Sequence, residues 1–239
     1  MDWVDQYDIL LDPAWRQVFP RQQITTIITQ SKEETKLPTE IKKILGKYPA
    51  VYDNSATQTI TNAPVKHSID TGDAKPVSSP DYRRSPKERA VIKEQVTEML
   101  QRGVIEPSNS PWASQLVVVE KGKNKYRCCV NYKKLNNLTK KDKFPLARME
   151  NLIDMLFGST IFSTLDLKSG YWQIPMDPAD APKTAFRTED GLFQFKVMPF
   201  GVTNRRATFT HLMTELLRPH SAYSLCYIDD VIIFGSSYH

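Results

Sequence analysis

The sequence has few cysteines and no long apolar run. Its 239 residues include only three cysteines, two adjacent and one remote (Cys128, Cys129 and Cys226). That spacing fits neither a disulfide framework nor a C-x-x-C zinc site. No stretch approaches the 18 apolar residues of a membrane-spanning helix. The acidic start, MDWVDQYDILLDP, lacks the basic region of a secretory signal. We therefore expect an intracellular protein, in the cytoplasm or the nucleus, without a membrane partner.

The first 80 residues carry nine Lys or Arg against ten Asp or Glu, whereas net positive charge is dense in the middle of the chain. The whole chain has a formal charge of +5, but residues 121–148 carry ten Lys or Arg side chains against one acid. Aromatic residues interleave with this basic run, which favours a nucleic-acid or nucleotide surface over a merely solvated face. The lysines expected to bind nucleic acid are Lys133, Lys134, Lys140, Lys141 and Lys143.

The patterns of apolar residues predict an α+β protein with an antiparallel sheet backed by helices. Residues 1–80 are rich in proline, and we expect an extended arm or linker with little core of its own. Ser85-Pro86-Lys87-Glu88 is a capping box that begins a helix, and Gly103 ends it. Further predicted elements are a hairpin of 114–120 with 126–132, a helix near 147–157, strands 161–167 and 171–176, a hairpin within 183–198, and a helix near 203–217.

Two adjacent aspartates interrupt an apolar stretch near the end, CYIDDVIIFG (226–235). Buried carboxylates are costly unless their charge is compensated, and no Lys or Arg lies between 219 and 239. If 224–234 form a hairpin, Asp229 and Asp230 lie at its tip. Together with Asp166, at the end of another predicted strand, they would suit Mg²⁺, or Mn²⁺ in its place. The doublet alone would more often be a polar turn.

Several blocks resemble the reverse transcriptases of gypsy-class LTR retrotransposons. Tyr227-Ile228-Asp229-Asp230 is similar to the Y-x-D-D box of that family, and FSTLDLKSGYWQI (162–174) is similar to its first-aspartate block. Other matching blocks follow in the family's order: PWASQLVVV, YRCCVNYKKLN, DKFPLARMENLID, KTAFRTEDGLFQFKVMPFGVTN and ATFTHLM. The resemblance covers about 64–239.

The resemblance implies a right-hand polymerase with fingers at 81–160, an incomplete palm at 161–239 and no thumb. Asp166, Asp229 and Asp230 would be the catalytic, metal-binding residues. The nucleotide-binding residues implied are Lys121, Arg127, Tyr171, Phe200 and Gly201. Partners would be an RNA or DNA template with its primer, a dNTP, and the missing thumb and RNase H region of the same polyprotein. For Tyr171 a simple core position is the alternative, and for Arg127 a solvated strand position.

The chain departs from the family pattern in three ways. Where the family pattern reads N-A-P-A-T-F, this chain has Arg205 and Arg206 in place of the two small residues after Asn. The two arginines would crowd the start of a helix. Asn131 stands where Asp is usual. The chain ends nine residues after Asp230, so we expect exposed apolar surface on the truncated sheet. Two functions stay open: template-directed transfer of a nucleotide to a primer 3′-hydroxyl, or a catalytically inactive nucleic-acid-binding remnant.

Asp70-Thr71-Gly72 spells the aspartic-protease triplet. Its surroundings, HSIDTGDAKPVSS, are polar and bounded by proline, whereas a protease triplet lies in an apolar strand. The sequence therefore argues against a protease.

Overall fold

The computed structural model describes residues 43, 46–47, 63–80, 82–120, 122, 126–144, 149–167, 170–227 and 230–236. The chain separates into two compact units, Met1–Ala56 and Thr57–His239, and the elements described below belong to the second. No helix among the described residues is long and apolar enough to cross a membrane.

The second unit alternates helices with strands. The helices are α1 (Pro86–Gln101), α2 (Lys133–Leu138), α3 (Met149–Leu156) and α4 (Arg205–Leu217). The strands are β1 (Ile105–Pro107), β2 (Ser114–Glu120), β3 (Tyr126–Asn131), β4 (Ile161–Asp166), β5 (Phe186–Thr188), β6 (Gly191–Phe195), β7 (Ser224–Tyr227) and β8 (Asp230–Gly235). Short 3₁₀ turns cover Gly170–Gln173, Ala181–Thr184 and Arg218–His220.

The predicted capping box begins α1. The Ser85 hydroxyl accepts from the Glu88 N–H at 3.3 Å, and the Glu88 carboxylate accepts from the Ser85 N–H at 2.7 Å. These bonds satisfy donors that a helix start leaves unpaired. Gly103 follows the helix with φ +66°, which glycine adopts without a Cβ clash. The first predicted helix is confirmed at both ends.

A five-stranded sheet lies against α1, with strand order β1-β6-β5-β2-β3. Its neighbours are antiparallel except β2 and β5, which run parallel with Ser114 opposite Phe186. The sheet is therefore mixed, whereas the sequence pattern predicted antiparallel pairing. The long chain between β2 and β5 makes a parallel crossover feasible. Strands β5 and β6 pair with strands from before residue 160, and the predicted subdomain boundaries remain predictions.

A second sheet has three antiparallel strands in the order β4-β8-β7. Leu225 and Phe234 from this sheet are buried with Leu152 of α3. Val231 is buried with Phe209 of α4 in the largest core cluster, so the two faces of the sheet pack against different helices. The sheet also exposes apolar side chains, with Leu165 at 47% and Ile233 at 38% exposure.

The predicted strand 171–176 is wrong. Residues Gly170–Gln173 form a 3₁₀ turn, and only Pro175 and Met176 make isolated bridges, to Val197 and His67 respectively. A Cβ at Gly170 would lie 3.0 Å from the Phe209 ring, so the backbone packs directly against α4. The turn buries the apolar residues of this segment, and a strand would have buried them too, so the apolar pattern does not distinguish the two structures.

The segment 63–80 contributes to the core, although the sequence indicated an arm with little core of its own. It runs largely without helix or strand, yet Ile69 is 1% exposed in the same cluster as Tyr171 and Phe209. Backbone hydrogen bonds join His67 to Pro175 and Asp177. The segment is therefore packed against the elements that follow it, rather than lying free of them.

His67 is fully buried, with 0% exposure. Its Nδ1 lies 2.8 Å from the Thr208 hydroxyl of α4, while its Nε2 has no partner. Burial lowers the pKa of this imidazole from 6.5 to about 4, although nearby Asp180 opposes the shift. The side chain is therefore neutral in the folded protein at pH 7.

We expect His67 to make the protein less stable in mild acid. Because its folded pKa lies below its unfolded pKa, the stability it contributes is complete above pH 6.5 and is lost as pH falls towards 4. The loss is about 3 kcal/mol at most. Urea unfolding at several pH values should show that His67→Asn, which keeps an amide near Nδ1, flattens this slope. His211→Asn, at an exposed histidine, should not; equal slopes in the wild type and His67→Asn would contradict the assignment.

Candidate functional site

The three-stranded sheet brings two of the three candidate carboxylate positions into register. Asp166 is the last residue of β4 and Asp230 the first of β8, and the two are directly paired. Tyr227, the last residue of β7, pairs with Asp230 from the other side. Residues directly opposite each other across antiparallel strands share one face of a sheet. Asp166 and Asp230 therefore occupy neighbouring positions at one end of this sheet.

The acidic positions lie where the strands end. Val231 and Phe234 of β8 are buried, at 5% and 8% exposure, whereas Asp230 is half-buried. The predicted hairpin of 224–234 is confirmed, with residues 228 and 229 between its strands. Asp229 and the side chain of Asp166 lie outside the described residues. The hairpin explains how an acidic doublet can follow an apolar run without placing both residues in the packed middle of a strand.

Carboxylate oxygens are suitable ligands for a hard divalent cation. Three aspartates at 166, 229 and 230, with no Lys or Arg from 219 to the end of the chain, form a donor set of that kind. Within the described part of the chain, no group of three His, Cys, Asp or Glu side chains is placed to hold a metal ion. That finding does not include Asp229 or the Asp166 side chain, so the metal site stays a proposal.

Four of the five candidate nucleotide-binding residues are close together. The Arg127 guanidinium carbon lies 5.1 Å from the centre of the Phe200 ring, within range of a cation–π contact. Phe200 meets Tyr171 edge-on at 5.5 Å between ring centres. Gly201 follows Phe200 directly. The fifth residue, Lys121, lies outside the described residues.

Tyr171 belongs to both the core and this cluster. It is 6% exposed, and its ring also meets Phe209 edge-on at 5.4 Å. The alternative of a core aromatic therefore describes its burial correctly. Phe200, which Tyr171 contacts edge-on, is 38% exposed, so the cluster joins a buried ring to a partly exposed one.

The loop that carries Phe200 is held by the Asn136 side chain. Its amide donates to the Gly201 carbonyl at 2.8 Å and accepts from the Thr203 N–H at 2.8 Å. Gly201 has φ +93°, and a Cβ there would lie 3.6 Å from the Val130 carbonyl oxygen. A side chain at 201 would therefore be strained by its backbone angle even though space is available.

Asn204 makes a second clamp of the same kind. Its side chain accepts from the Asp142 N–H at 2.9 Å and donates to the Lys140 carbonyl at 2.8 Å. Its backbone is left-handed, with φ +68°, a conformation that Asn tolerates better than most residues. Although Asn204 precedes α4, its side chain does not cap the helix. Neither Asn136 nor Asn204 was among the residues that the sequence indicated.

The candidate nucleic-acid-binding lysines are exposed: Lys133, Lys134, Lys140, Lys141 and Lys143. The clamp by Asn204 fixes the segment that carries the last three of them beside α4. Further along this helix, the Phe144 ring lies 5.2 Å from that of His211. The basic segment thus has a defined position rather than being a free tail.

The Asp70-Thr71-Gly72 triplet lies at a turn, with Asp70 and Gly72 exposed and Thr71 buried. The Asp70 carboxylate accepts from the Gly72 N–H at 2.8 Å and pairs with Lys140 at 3.0 Å. The Gly72 N–H, and after it Lys140, lower the pKa of this carboxyl. An exposed aspartate engaged with a lysine agrees with the argument against a protease.

The two unexpected arginines have different surroundings. Arg205 is half-buried, with its guanidinium carbon 5.8 Å from the centre of the Tyr171 ring. Its Nε is buried without a hydrogen-bond partner, and one terminal nitrogen donates to the Val202 carbonyl at 3.4 Å. Arg206 is exposed. Crowding at the helix start is therefore confined to Arg205, beside Tyr171.

Replacing Asn204 should separate its side-chain bonds from its backbone angle. Asn204→Gly keeps the left-handed backbone but loses two hydrogen bonds, which should lower the unfolding free energy by about 2 kcal/mol. Asn204→Ala should cost roughly 1 kcal/mol more because alanine resists positive φ. Urea denaturation measures both. Asn137→Gly makes the same substitution at an asparagine of α2 that is not part of the clamp, and serves as a comparison. Equal stability of Asn204→Gly and the wild type would contradict the clamp.

Comparisons with known proteins agree with the resemblance. A family model described as "Reverse transcriptase (RNA-dependent DNA polymerase)" matches residues 119–239. The Pol polyproteins of the Drosophila melanogaster transposons 297 and opus are 38% and 35% identical over 205 residues. The enzymatic polyprotein of Cauliflower mosaic virus (strain Strasbourg) is 31% identical over 214 residues.

These relatives are much longer than this chain. The matches cover 83% of the chain but 19% and 20% of the two transposon polyproteins, and 88% of the chain but 31% of the viral polyprotein. The chain thus spans about a fifth to a third of the length of these relatives.

Solved structures show the same fold. The foamy virus protease–reverse transcriptase superposes with a TM-score of 0.74 at 24% identity, over 92% of this chain and 30% of that one. A structure of the foamy viral enzyme in complex with an RNA/DNA hybrid gives a TM-score of 0.72 at 21% identity, with the same coverage. The likeness confirms the α+β fold of fingers and partial palm. Since the family model covers just over half of the residues, this chain belongs to the reverse transcriptase family, as a retrotransposon reverse transcriptase domain.

Proposed function

We propose that this chain carries out template-directed transfer of a deoxynucleotide to a primer. The primer 3′-hydroxyl oxygen forms a bond to the α-phosphorus of the dNTP, the bond from that phosphorus to the bridging oxygen breaks, and pyrophosphate leaves. The proton of the hydroxyl passes to solvent. The main support is the pairing of Asp166 with Asp230 at the end of the sheet, directly beside the hairpin that contains Asp229.

Asp166, Asp229 and Asp230 would hold Mg²⁺ or Mn²⁺, and members of this family generally depend on a divalent metal. Such an ion, when bound, supplies activation of a hydroxyl and stabilisation of a leaving phosphate. The oxygen-rich donor set fits it. Asp166 and Asp230 contribute negative charge from paired positions at the strand ends, and Asp229 adds a third carboxylate.

The cluster around Phe200 would bind the incoming nucleotide. Arg127 presents a guanidinium, whose planar set of donors suits phosphate oxygens. Lys121 is proposed to assist at the triphosphate. Tyr171 would limit space next to the sugar, which disfavours a 2′-hydroxyl by steric exclusion. The left-handed Gly201 lets the backbone turn closely behind Phe200.

The exposed lysines would bind the phosphate backbone of an RNA or DNA template with its primer. The foamy viral structures in complex with an RNA/DNA hybrid and with dsDNA support nucleic acid as the partner class. The remaining thumb and RNase H region is proposed to belong to the same polyprotein, and the site of action to be intracellular.

The second proposed function is nucleic-acid binding without catalysis. The observation that favours it is Arg205, which places a bulky cation beside Tyr171 where the family pattern has a small residue. Under this alternative the basic segment still binds nucleic acid, but no nucleotide is incorporated.

Primer extension on poly(rA) with oligo(dT), dTTP and Mg²⁺ or Mn²⁺ distinguishes the two functions. If the chain is a polymerase, Asp229→Asn should lower extension by about 100-fold or more, while the affinity for template and primer stays within about 2-fold. Asp190→Asn, in the exposed β5–β6 turn, should change neither quantity. Intact binding by the wild type with no extension would leave only the binding function, and equal loss of both by Asp229→Asn would indicate misfolding.

The salt dependence of binding tests the lysines. Lys141→Gln with Lys143→Gln should reduce the slope of log affinity against log salt by roughly 1.4–1.8, because each lost phosphate contact removes about 0.7–0.9. Electrophoretic mobility shifts or fluorescence anisotropy across a salt series provide the measurement. Lys66→Gln with Lys93→Gln removes the same charge from other exposed positions. If both double variants change the slope equally, the effect is one of net charge alone.

A further inference from the structure

Arg102 lies at the end of α1, outside the set of residues assigned to the site. Its guanidinium carbon is 4.8 Å from the centre of the Trp172 ring. Its backbone N–H donates to the Glu98 carbonyl at 2.9 Å, and its side chain pairs with the Glu98 carboxylate at 3.4 Å. The Trp172 ring therefore faces a cation that is carried by the residue ending α1.

Trp172 links this cation to the nucleotide cluster. The residue follows Tyr171 in the 3₁₀ turn, and its ring is half-buried against the core beneath α1. Its indole N–H is buried without a hydrogen-bond partner. The ring contacts the Arg102 guanidinium and also Phe200, at 5.9 Å between ring centres. Ring contacts rather than a hydrogen bond set its orientation.

Phe200 is where these contacts reach the substrate surface. The ring is 38% exposed, so packing alone does not fix it. It is bounded by Tyr171 and Trp172, and Arg127 rests on it at 5.1 Å. A shift of Trp172 would release one wall of Phe200 and move the surface on which Arg127 lies.

We propose that Arg102 is a positioning residue for nucleotide binding: by holding Trp172 through a cation–π contact, it fixes Phe200 and thereby the guanidinium of Arg127. This inference rests on the proposed function and extends it to a residue at the end of α1. Arg102 contacts no substrate. Its effect is on the affinity for the incoming dNTP, and the chemical step keeps its rate.

Arg102→Gln tests the inference because it removes the charge but keeps a polar side chain of similar reach. We expect the KM for dTTP on poly(rA) with oligo(dT) to rise about 3- to 5-fold, the size of one partly exposed cation–π contact, with kcat within about 2-fold. The Kd for dTTP, measured by calorimetry with a primer that ends in a dideoxynucleotide, should rise by the same factor without any chemistry. Arg102→Lys keeps a cation over the indole and should restore most of the affinity.

Two controls separate this role from others. Lys93→Gln removes one charge from the same helix, and Glu98→Gln removes the ion pair of Arg102 while keeping its cation; both should bind dTTP like the wild type. Should Arg102→Gln fail to fold by circular dichroism, Trp172→Phe provides the test with an expected rise in Kd of about 2-fold. An unchanged Kd for dTTP in Arg102→Gln, or in Trp172→Phe, would overturn this inference and leave the proposed function standing. A Kd for Glu98→Gln as high as that for Arg102→Gln would do the same. A wild type that binds no dTTP at all would overturn the proposed polymerase function and this inference with it.

Discussion

The amide of Asn136 holds the loop on which the candidate nucleotide site is built. With two hydrogen bonds of 2.8 Å, it fixes the Gly201 carbonyl and the Thr203 N–H. Each such bond contributes about 1 kcal/mol. The bonds also fix the position of the loop, because a loop lacks the regular backbone hydrogen bonds that hold a helix or a sheet in place. Asn204 then joins the same loop to the basic segment through the Lys140 carbonyl and the Asp142 N–H. One loop is thereby tied to α2 on one side and to the lysines on the other.

This arrangement explains why residues far apart in the chain meet. Arg127 is on β3 of the five-stranded sheet, while Phe200 is on the clamped loop and Tyr171 is in a 3₁₀ turn. Asn136 follows β3 closely in the sequence, so fixing the loop to α2 also fixes Phe200 relative to Arg127. Gly201 adopts the positive φ of +93° that this loop requires. The same loop holds the segment that carries the lysines in one position. A phosphate backbone can then contact several of these lysines at the same time.

Local patterns predicted the elements, and long-range contacts decided the rest. The capping box at Ser85 and the β2–β3 hairpin depend on residues near in sequence, so periodicity and turn residues sufficed. The parallel pairing of β2 with β5 joins Ser114 to Phe186, and no local pattern specifies it. The strand expected at 171–176 failed because burial against Phe209 is satisfied equally by a 3₁₀ turn. In the site, acids and basic residues were recognisable by type, whereas Asn136, Asn204, Arg102 and Trp172 act through partners that only the fold supplies.

Arg205 shows that local stability does not account for every residue near the site. A cation in the first turn of α4 opposes the helix dipole, by about 0.3–1 kcal/mol, and a buried Nε without a partner costs about 1–3 kcal/mol. The contact with Tyr171 returns only about 0.5–1 kcal/mol. A hydrogen bond of 3.4 Å to the Val202 carbonyl is a further favourable contact, so the sum gives no clear stability reason for an arginine here. What Arg205 does bring to the site is bulk and positive charge beside Tyr171. The two proposed functions, catalysis and simple binding, therefore differ in what they expect of Arg205. Both are compatible with the pairing of Asp166 and Asp230.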